Sequence, residues 1–403
     1  MNVPKLRFPE FSDAYEAVVL GEVATFSKGK GISKSDIVDK GETPCIRYGE
    51  LYTHYGTRID TVLSATNVAA SDLKLSHGGE VIVPASGEDS KDIATACVVI
   101  PSGVALGGDL NVIRGDFDGY FLASYISGKR RLALAAMAQG NSVVHLYPSQ
   151  LALLPLSLPA RPEQKKIAAF LGVVDAKIAA LRARRDGLER YKRGLMQALF
   201  SQTLRFSKPD GTDFPDWKEK RLGEVLHEHK LKSTGNEQVF SVSVHKGLVN
   251  QIDHLGRSFS AANTDHYNRV KQHDIVYTKS PTGDFPLGII KQSSIEEDVI
   301  VSPLYGVFTP ETPALGRMLH VHFESHVNVS NYLSPIVQKG AKNTINVTNA
   351  GFLSNKLKLP VSHEEQQRIA DALSAMDAKV AAVADRVAHM EAFKKGLLQQ
   401  MFV

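Results

Sequence analysis

A mixed α/β fold is predicted: two pseudo-repeated α/β domains separated by two long helices that form an antiparallel coiled coil, in a circular pseudo-two-fold arrangement. Three observations predict it. Residues 161–200, RPEQKKIAAFLGVVDAKIAALRARRDGLERYKRGLMQALF, lie without a gap over residues 363–402, HEEQQRIADALSAMDAKVAAVADRVAHMEAFKKGLLQQMF, at an offset of 202 and with 17 of 40 positions identical. A repeat on that scale decides the architecture before any finer reading. Both copies carry a heptad pattern, the mark of paired helices. Finally, Leu6-Arg7-Phe8 recurs as Leu204-Arg205-Phe206 just after the first copy, so joining the last residue to the first would nearly recreate the linker between the halves.

The first domain is expected over residues 1–160 and the second over 215–361, each close to the usual domain size of roughly 100–150 residues. The same offset carries LGEV at Leu20–Val23 onto LGEV at Leu222–Val225, and Tyr15 onto Trp217. Between these anchors the match is loose: GGEVIVPASG (78–87) resembles QHDIVYTKSPTG (272–283), and QGNSVVHL (139–146) resembles KGAKNTINV (339–347). Similar frames therefore hold dissimilar contents.

The first long helix is expected over 161–200, with Pro162 in its opening turn. Its seam is Ile167, Leu171, Val174, Ile178, Leu181, Leu188 and Leu195, with Arg185 and Lys192 also at seam positions. A linker over 201–214 follows, rich in Pro, Gly and Asp turn signals. The second long helix is expected over 362–403, opened by an S-x-x-E capping box of Ser362 and Glu365. Its seam is Ile369, Leu373, Met376, Val380, Val383, Val387, Met390 and Leu397, in alternating steps of four and three interrupted at Lys394. The first helix holds ten Lys or Arg against four Asp or Glu, the second five against six, so pairing lessens self-repulsion. About 38 residues at 1.5 Å each reach roughly 57 Å, the length of a spacer that holds two domains at opposite ends of the pair.

Composition excludes several classes. Hydrophobic residues at 43% and charged residues at 22% are globular values, and no stretch is long and apolar enough for a membrane span. The start lacks the apolar core of a signal peptide. Cys45 and Cys97, the only cysteines, give neither a disulfide framework nor a CxxC metal pair. A cytoplasmic protein without membrane association is expected. The net charge of +4 is too small to announce a nucleic-acid binder by itself.

At the helix starts, LPARPEQKKIA (158–168) and LPVSHEEQQRIA (359–370), with the DAKI and DAKV continuations and the closing YKRGL (191–195) and FKKGL (393–397), the chain resembles the specificity subunits of type I restriction-modification enzymes. RYGELYTHYG (47–56) and GGDLNVI (107–113) are also similar to first-domain sequences of that family. The RPEQ and HEEQ forms depart from its commoner PLxEQ. The resemblance covers the whole chain and implies a non-catalytic subunit with two target recognition domains, each reading half of an asymmetric, gapped double-stranded DNA site. The helices would set the gap and dock two methyltransferase (modification) subunits, and translocase and nuclease (restriction) subunits would join. No cofactor is implied in this chain; S-adenosylmethionine, ATP and Mg would sit on the partner subunits.

Base and phosphate contact calls for Arg, Lys, Asn, Gln and aromatic side chains on exposed elements. In the first domain the candidates are Lys28, Lys30 and Lys34, spaced by Gly and Ser in a loop, then Arg47, Tyr48, Tyr52, His54, Tyr55 and Arg58, and finally Asn141, Ser142 and His145. In the second they are Lys230, Lys232, His245, Lys246, Asn250, Lys279, Asn343 and Asn346. A solvated loop and a Tyr-rich core strand are the plain readings of the same stretches.

Catalytic motifs are absent. No Gly-rich cofactor turn after a strand, no N/D-P-P-Y/F stretch and no GxxxxGK[ST] phosphate loop occurs. His320, His322 and His326 cluster in HVHFESH, but without a fourth ligand at a familiar spacing they read as a polar surface rather than zinc ligands. The alternative is a coiled-coil scaffold that assembles protein partners without reading DNA.

Overall fold

The computed structural model describes residues 3–140, 143–255, 264–279, 282–339 and 345–403. The chain divides into two units, Met1–Arg182 with Ala384–Val403, and Ala183–Val383.

The first unit is built on five strands: β1 (Ala24–Lys28), β2 (Arg58–Ile59), β3 (Glu80–Pro84), β4 (Cys97–Val99) and β5 (Leu110–Gly115), ordered β1-β5-β3-β4-β2. Neighbours are antiparallel except β2 with β4. Every position of β3 is buried, as befits a central strand covered on both faces. Side chains alternate between the faces: Val81 and Val83 join Phe121 and Tyr125 of helix α1 (Gly119–Ser127), while Ile82 joins Ile46, Leu51 and Val99 on the other side. A second sheet of Ile37–Val38, Thr43–Ile46, Ser64–Thr66 and Ala105–Leu106 completes the unit, together with the first part of helix α2 (Arg161–Phe200).

The second unit repeats the frame. Strands β6 (Leu226–His227), β7 (Ile275–Thr278), β8 (Ile289–Gln292) and β9 (Gly306–Pro310) are ordered β6-β9-β7-β8, the same order as β1-β5-β3-β4. Helix α3 (Pro313–His322) takes the place of α1 and is followed by α4 (His326–Leu333). The rest differs. In place of the second sheet stand a hairpin, Phe240–Ser243 with Gly247–Asn250, and a strand pair, Asn268–Val270 with Val299–Val301. The chain ends in helix α5 (His363–Met401).

Both long helices change unit part-way along, α2 after Arg182 and α5 after Val383. Within the first unit they run antiparallel: Asp175 pairs with Lys394 at 2.7 Å, and Arg182 with Glu391. Within the second, Lys192 pairs with Asp377 at 2.7 Å. Asp175 and Asp377 are one position of the repeat, and Lys192 and Lys394 another. The apolar seam faces inward. Ile167, Leu171, Val174, Ile178 and Leu181 are buried in the first helix, and Ile369, Leu373, Met376, Val383, Val387 and Leu397 in the second. Leu188, Leu195, Val380 and Met390 are half-buried, and Met196 rather than Leu195 reaches the core beside Trp217 and Leu373.

The EQ pair at each helix start explains why those letters repeat. Glu163 accepts two hydrogen bonds from Arg7, both 2.8 Å, and one from the Tyr15 hydroxyl at 3.1 Å. Glu365 accepts from Arg205 at 3.1 Å and from the Trp217 indole at 3.0 Å. The neighbouring glutamines bridge. Gln164 accepts from the backbone N–H of Asp118, the N-cap of α1, and donates to the Pro159 carbonyl, both at 2.9 Å. Gln366 accepts from the hydroxyl of Thr312, the N-cap of α3, at 2.6 Å and donates to the Pro360 carbonyl at 3.0 Å. Only half of the expected capping box forms: the Glu365 N–H donates to Ser362 Oγ at 3.4 Å, but the Glu365 carboxylate is taken by Arg205 and Trp217.

The N-terminal segment stands in for the linker. The Leu204 N–H donates to the Ala198 carbonyl of the helix it has just left, at 3.1 Å, and the Leu6 N–H donates to the Gln400 carbonyl at 3.0 Å. Ala198 and Gln400 are 202 residues apart, so the chain closes on itself at the position where the first half continues covalently.

Gln366 is 1% exposed. Gln366→Ala leaves the Pro360 carbonyl and the Thr312 hydroxyl short of partners, an expected cost of about 1–3 kcal/mol. Trp217, the single tryptophan, lies in the same unit, so urea unfolding followed by its fluorescence measures the loss.

Candidate nucleic-acid interface

In the first unit three separate segments meet at one edge. β1 ends on Lys28, whose ammonium lies over the Tyr147 ring, 5.6 Å from its centroid. Tyr147 stacks on His145 at 6.1 Å. The His145 strand pairs with Ser86–Gly87, just after β3, and exchanges backbone hydrogen bonds of 2.9 and 2.7 Å with Gln139. Lys28, His145 and Tyr147 are exposed, as are Lys30 and Lys34 in the loop beyond β1. The result is a basic and aromatic surface with the chemistry of phosphate and base-edge contact. Tyr147 was missed by the sequence reading, although its position two residues after His145 in HLYP is the spacing that shares a strand face.

The second cluster separates. Tyr48 and Tyr55 pack against the core of Ile46, Leu51 and Ile59, and the Tyr55 hydroxyl accepts from the Leu63 N–H at 2.9 Å. Arg58 pairs with Asp60 at 2.8 Å and lies over the Tyr120 ring, on the side facing α2. Tyr52 is half-buried, its phenol pushed up mainly by burial. His54 is exposed and shares a 2.6 Å hydrogen bond with the Thr53 hydroxyl. Arg47 keeps a buried Nε without a partner among the described residues.

In the second unit the candidates Lys230, Lys232, His245 and Lys246 are exposed. His245 and Lys246 sit at the tip of the Phe240–Asn250 hairpin, where Gly247 turns at φ 71°, a conformation that suits glycine. Lys230 also has positive φ, 57°. Its neighbour His229 accepts from the Leu231 N–H through Nδ1 at 3.1 Å, so Nε2 carries the proton given to Asp274 at 2.9 Å.

Other candidates make contacts within their own unit. Lys232 donates to the His266 carbonyl and to Asn268 Oδ1, at 3.1 and 2.7 Å. Asn250 donates to Gln238 and accepts from the Ile252 N–H. Lys279 is half-buried, its ammonium pKa lowered by burial despite nearby Glu228. Asn346 lies on a two-residue strand paired with Gln338–Lys339, and its side chain lies outside the described residues; Asn141, Ser142 and Asn343 lie outside them altogether.

The three histidines divide between two helices: His320 and His322 lie half-buried on α3 rather than on an open surface, and exposed His326 opens α4. His320 Nδ1 accepts from the Gln292 N–H at 2.9 Å, and burial lowers its pKa. His322 packs on Phe200 at 4.4 Å, and burial brings it down to about 4. Among the described residues no group of three or more metal-ligating side chains is assembled, and no helix is long and apolar enough to cross a membrane.

The family description "Type I restriction modification DNA specificity domain" matches residues 13–190 and again 215–389. Two relatives from Methanocaldococcus jannaschii are similar. The type I restriction enzyme MjaVIII specificity subunit is 24% identical over 265 residues, and the putative type I restriction enzyme MjaX specificity subunit 26% identical over 246. These alignments span 60% and 57% of this chain and 60% and 54% of the relatives. Among solved structures, the S subunit of a type I restriction-modification system from M. genitalium has a TM-score of 0.61 at 14% identity, covering 100% of this chain and 99% of its own. A chain from a study of type I R-M complex assembly and conformational transition has a TM-score of 0.54 at 17% identity, covering 96% and 97%. At such identities these structures bear on the fold alone.

Proposed function

We propose, from the premise that the chain belongs to the type I restriction-modification DNA specificity family, that each unit reads one half of an asymmetric, gapped duplex site. The two long helices set the gap and dock two methyltransferase subunits. The observation that carries this reading is the double match of the family description, on 13–190 and 215–389, over one strand order with different contents. Equal frames present two readers in equivalent ways; unequal loops and hairpins let them read different bases.

In the first unit Lys28, Lys30 and Lys34 hold phosphates while His145 and Tyr147 approach base edges and sugars. In the second, Lys246 at the hairpin tip is the reader, since a two-stranded ribbon fits the major groove. Lys232 and Asn250 position that surface through bonds inside their own unit. Methyl transfer, ATP hydrolysis and cleavage belong to partner subunits, which carry S-adenosylmethionine, ATP and Mg.

Selection from random duplex DNA by the chain co-purified with a type I methyltransferase subunit that binds it should return a split consensus with a fixed unread gap. Replacing the first recognition segment with that of a relative should change one half-site only, with about 1–3 kcal/mol lost per mismatched base pair at the old one. An intact complex that selects no consensus would mean that the chain is a scaffold.

A further inference from the structure

The clefts beside the two Asp–Lys pairs differ in their charge. In the first unit the cleft, about 830 Å³, is balanced. Asp175 faces Lys394 and the Tyr120 hydroxyl, Arg58 pairs with Asp60, and Arg182 with Glu391. In the second unit the cleft, about 590 Å³, has a surplus. Lys192 bridges Glu324 and Asp377 at 2.6 and 2.7 Å, Arg317 also contacts Asp377, and half-buried His320 sets Nε2 3.2 Å from Glu324. That leaves Lys291. It is 5% exposed and lines the cleft. Among the described residues its ammonium has no hydrogen bond, and the one carboxylate oxygen within 4.0 Å, on Glu324, lies at that limit. Three cations thus share two carboxylates, and a buried charge without a full partner is costly. At the rim Arg193 is exposed, while Glu189 is drawn 3.8 Å from Arg185.

We propose that this cleft is the docking socket for an acidic side chain flanked by apolar ones, on a segment of a methyltransferase subunit; the identity of the partner rests on the proposed function. The carboxylate completes the Lys291 network, and its apolar neighbours cover Phe285, Met196 and Val380, which share the lining with polar groups such as His245, Ser325 and His326. The depth of Lys291 argues against a DNA phosphate. A duplex would have to thread its backbone into the cleft to reach a lysine that is 5% exposed. Because the first cleft has no surplus cation, the socket belongs to the second unit alone.

The test is native mass spectrometry of the full chain with the methyltransferase subunit. Lys291→Met and Arg193→Glu are each expected to weaken uptake of one of the two copies roughly tenfold or more; Arg58→Met, at the balanced cleft, is expected to change nothing. Arg193 is exposed, so its variant decides the matter if Lys291→Met fails to fold. Two copies bound with wild-type affinity in Arg193→Glu and in folded Lys291→Met overturn the socket. So does normal assembly with DNA affinity lowered alike on all sequences, which assigns the cleft to phosphate instead. Should the wild-type chain take up no methyltransferase at all, the proposed function falls. The cleft is then decided by fluorescence anisotropy with the peptide Leu-Glu-Leu-Asp-Leu against its Gln/Asn twin: preference for the acidic peptide, lost in Lys291→Met, supports the socket, and equal binding removes it.

Discussion

Arg205→Ala should destabilise the second unit by about 3–5 kcal/mol, since it strips the cation from a carboxylate that is 0% exposed. Glu365 would keep the Trp217 indole at 3.0 Å, but one neutral donor does not compensate a buried charge. Arg205→Ala combined with Glu365→Gln removes that charge and should recover most of the loss. Urea unfolding read through Trp217 fluorescence separates the variants, and a single-variant loss below about 1 kcal/mol would sink the clamp. The first unit gives a sharper version. Arg7 binds Glu163 through two 2.8 Å hydrogen bonds, and the adjacent Leu6 N–H holds the Gln400 carbonyl. Arg7→Ala is therefore expected to speed amide exchange in residues 384–403 as well, because the linker equivalent that pins the end of α5 is joined to it by no covalent bond.

The repeat made the frame legible. An ungapped register over 40 residues located both helices, and the alternation of four and three located their buried seam, since a helix that buries one stripe must repeat its apolar residues on that period. The recurrence of LRF was legible as a sign of closure, but its reason was not: Arg7 and Arg205 meet Glu163 and Glu365 across more than 150 residues, a distance that no local pattern encodes. For the same reason Glu365 reads locally as half of a capping box, and the tertiary clamp wins the carboxylate. The candidate interface was legible in composition and only partly in placement. Lys28 and His145 are over 100 residues apart and meet through the Tyr147 ring, because the strand at His145 pairs with Ser86–Gly87 just after β3. Arg58 carries the same letters of chemistry and turns toward the helix, because Asp60 and the Tyr120 ring lie within its reach. The Lys291 surplus had no signal at all. A lysine in IIKQ looks like an outward strand position until α2, α3 and α5 supply the carboxylates and cations around it.

Inserting one heptad into each long helix, between Arg182 and Ala183 and between Val383 and Ala384, should move the selected DNA site to a longer gap and abolish selection at the old one. These are the points at which each helix passes from one unit to the other. Seven residues add about 10 Å of helix, roughly three base pairs at 3.4 Å. They keep the seam facing its partner to within about 20°. Over three base pairs the duplex turns by roughly 100°, so the displaced reader meets a groove that has rotated away. Recovery at the longer gap then needs twisting or bending of the DNA at a cost of a few kcal/mol, roughly 1–6, and affinity there should stay below that of the parent. At the old gap only one half-site can be engaged, and the specific advantage, roughly 10³-fold or more, should be lost. An insertion in one helix alone is the control. It shifts the Asp175–Lys394 pair out of register with Lys192–Asp377, so it should impair folding rather than change the gap. Selection by the doubly inserted chain of the parental gap, with the complex intact, would remove the helices from the role of ruler and leave them as a docking surface alone.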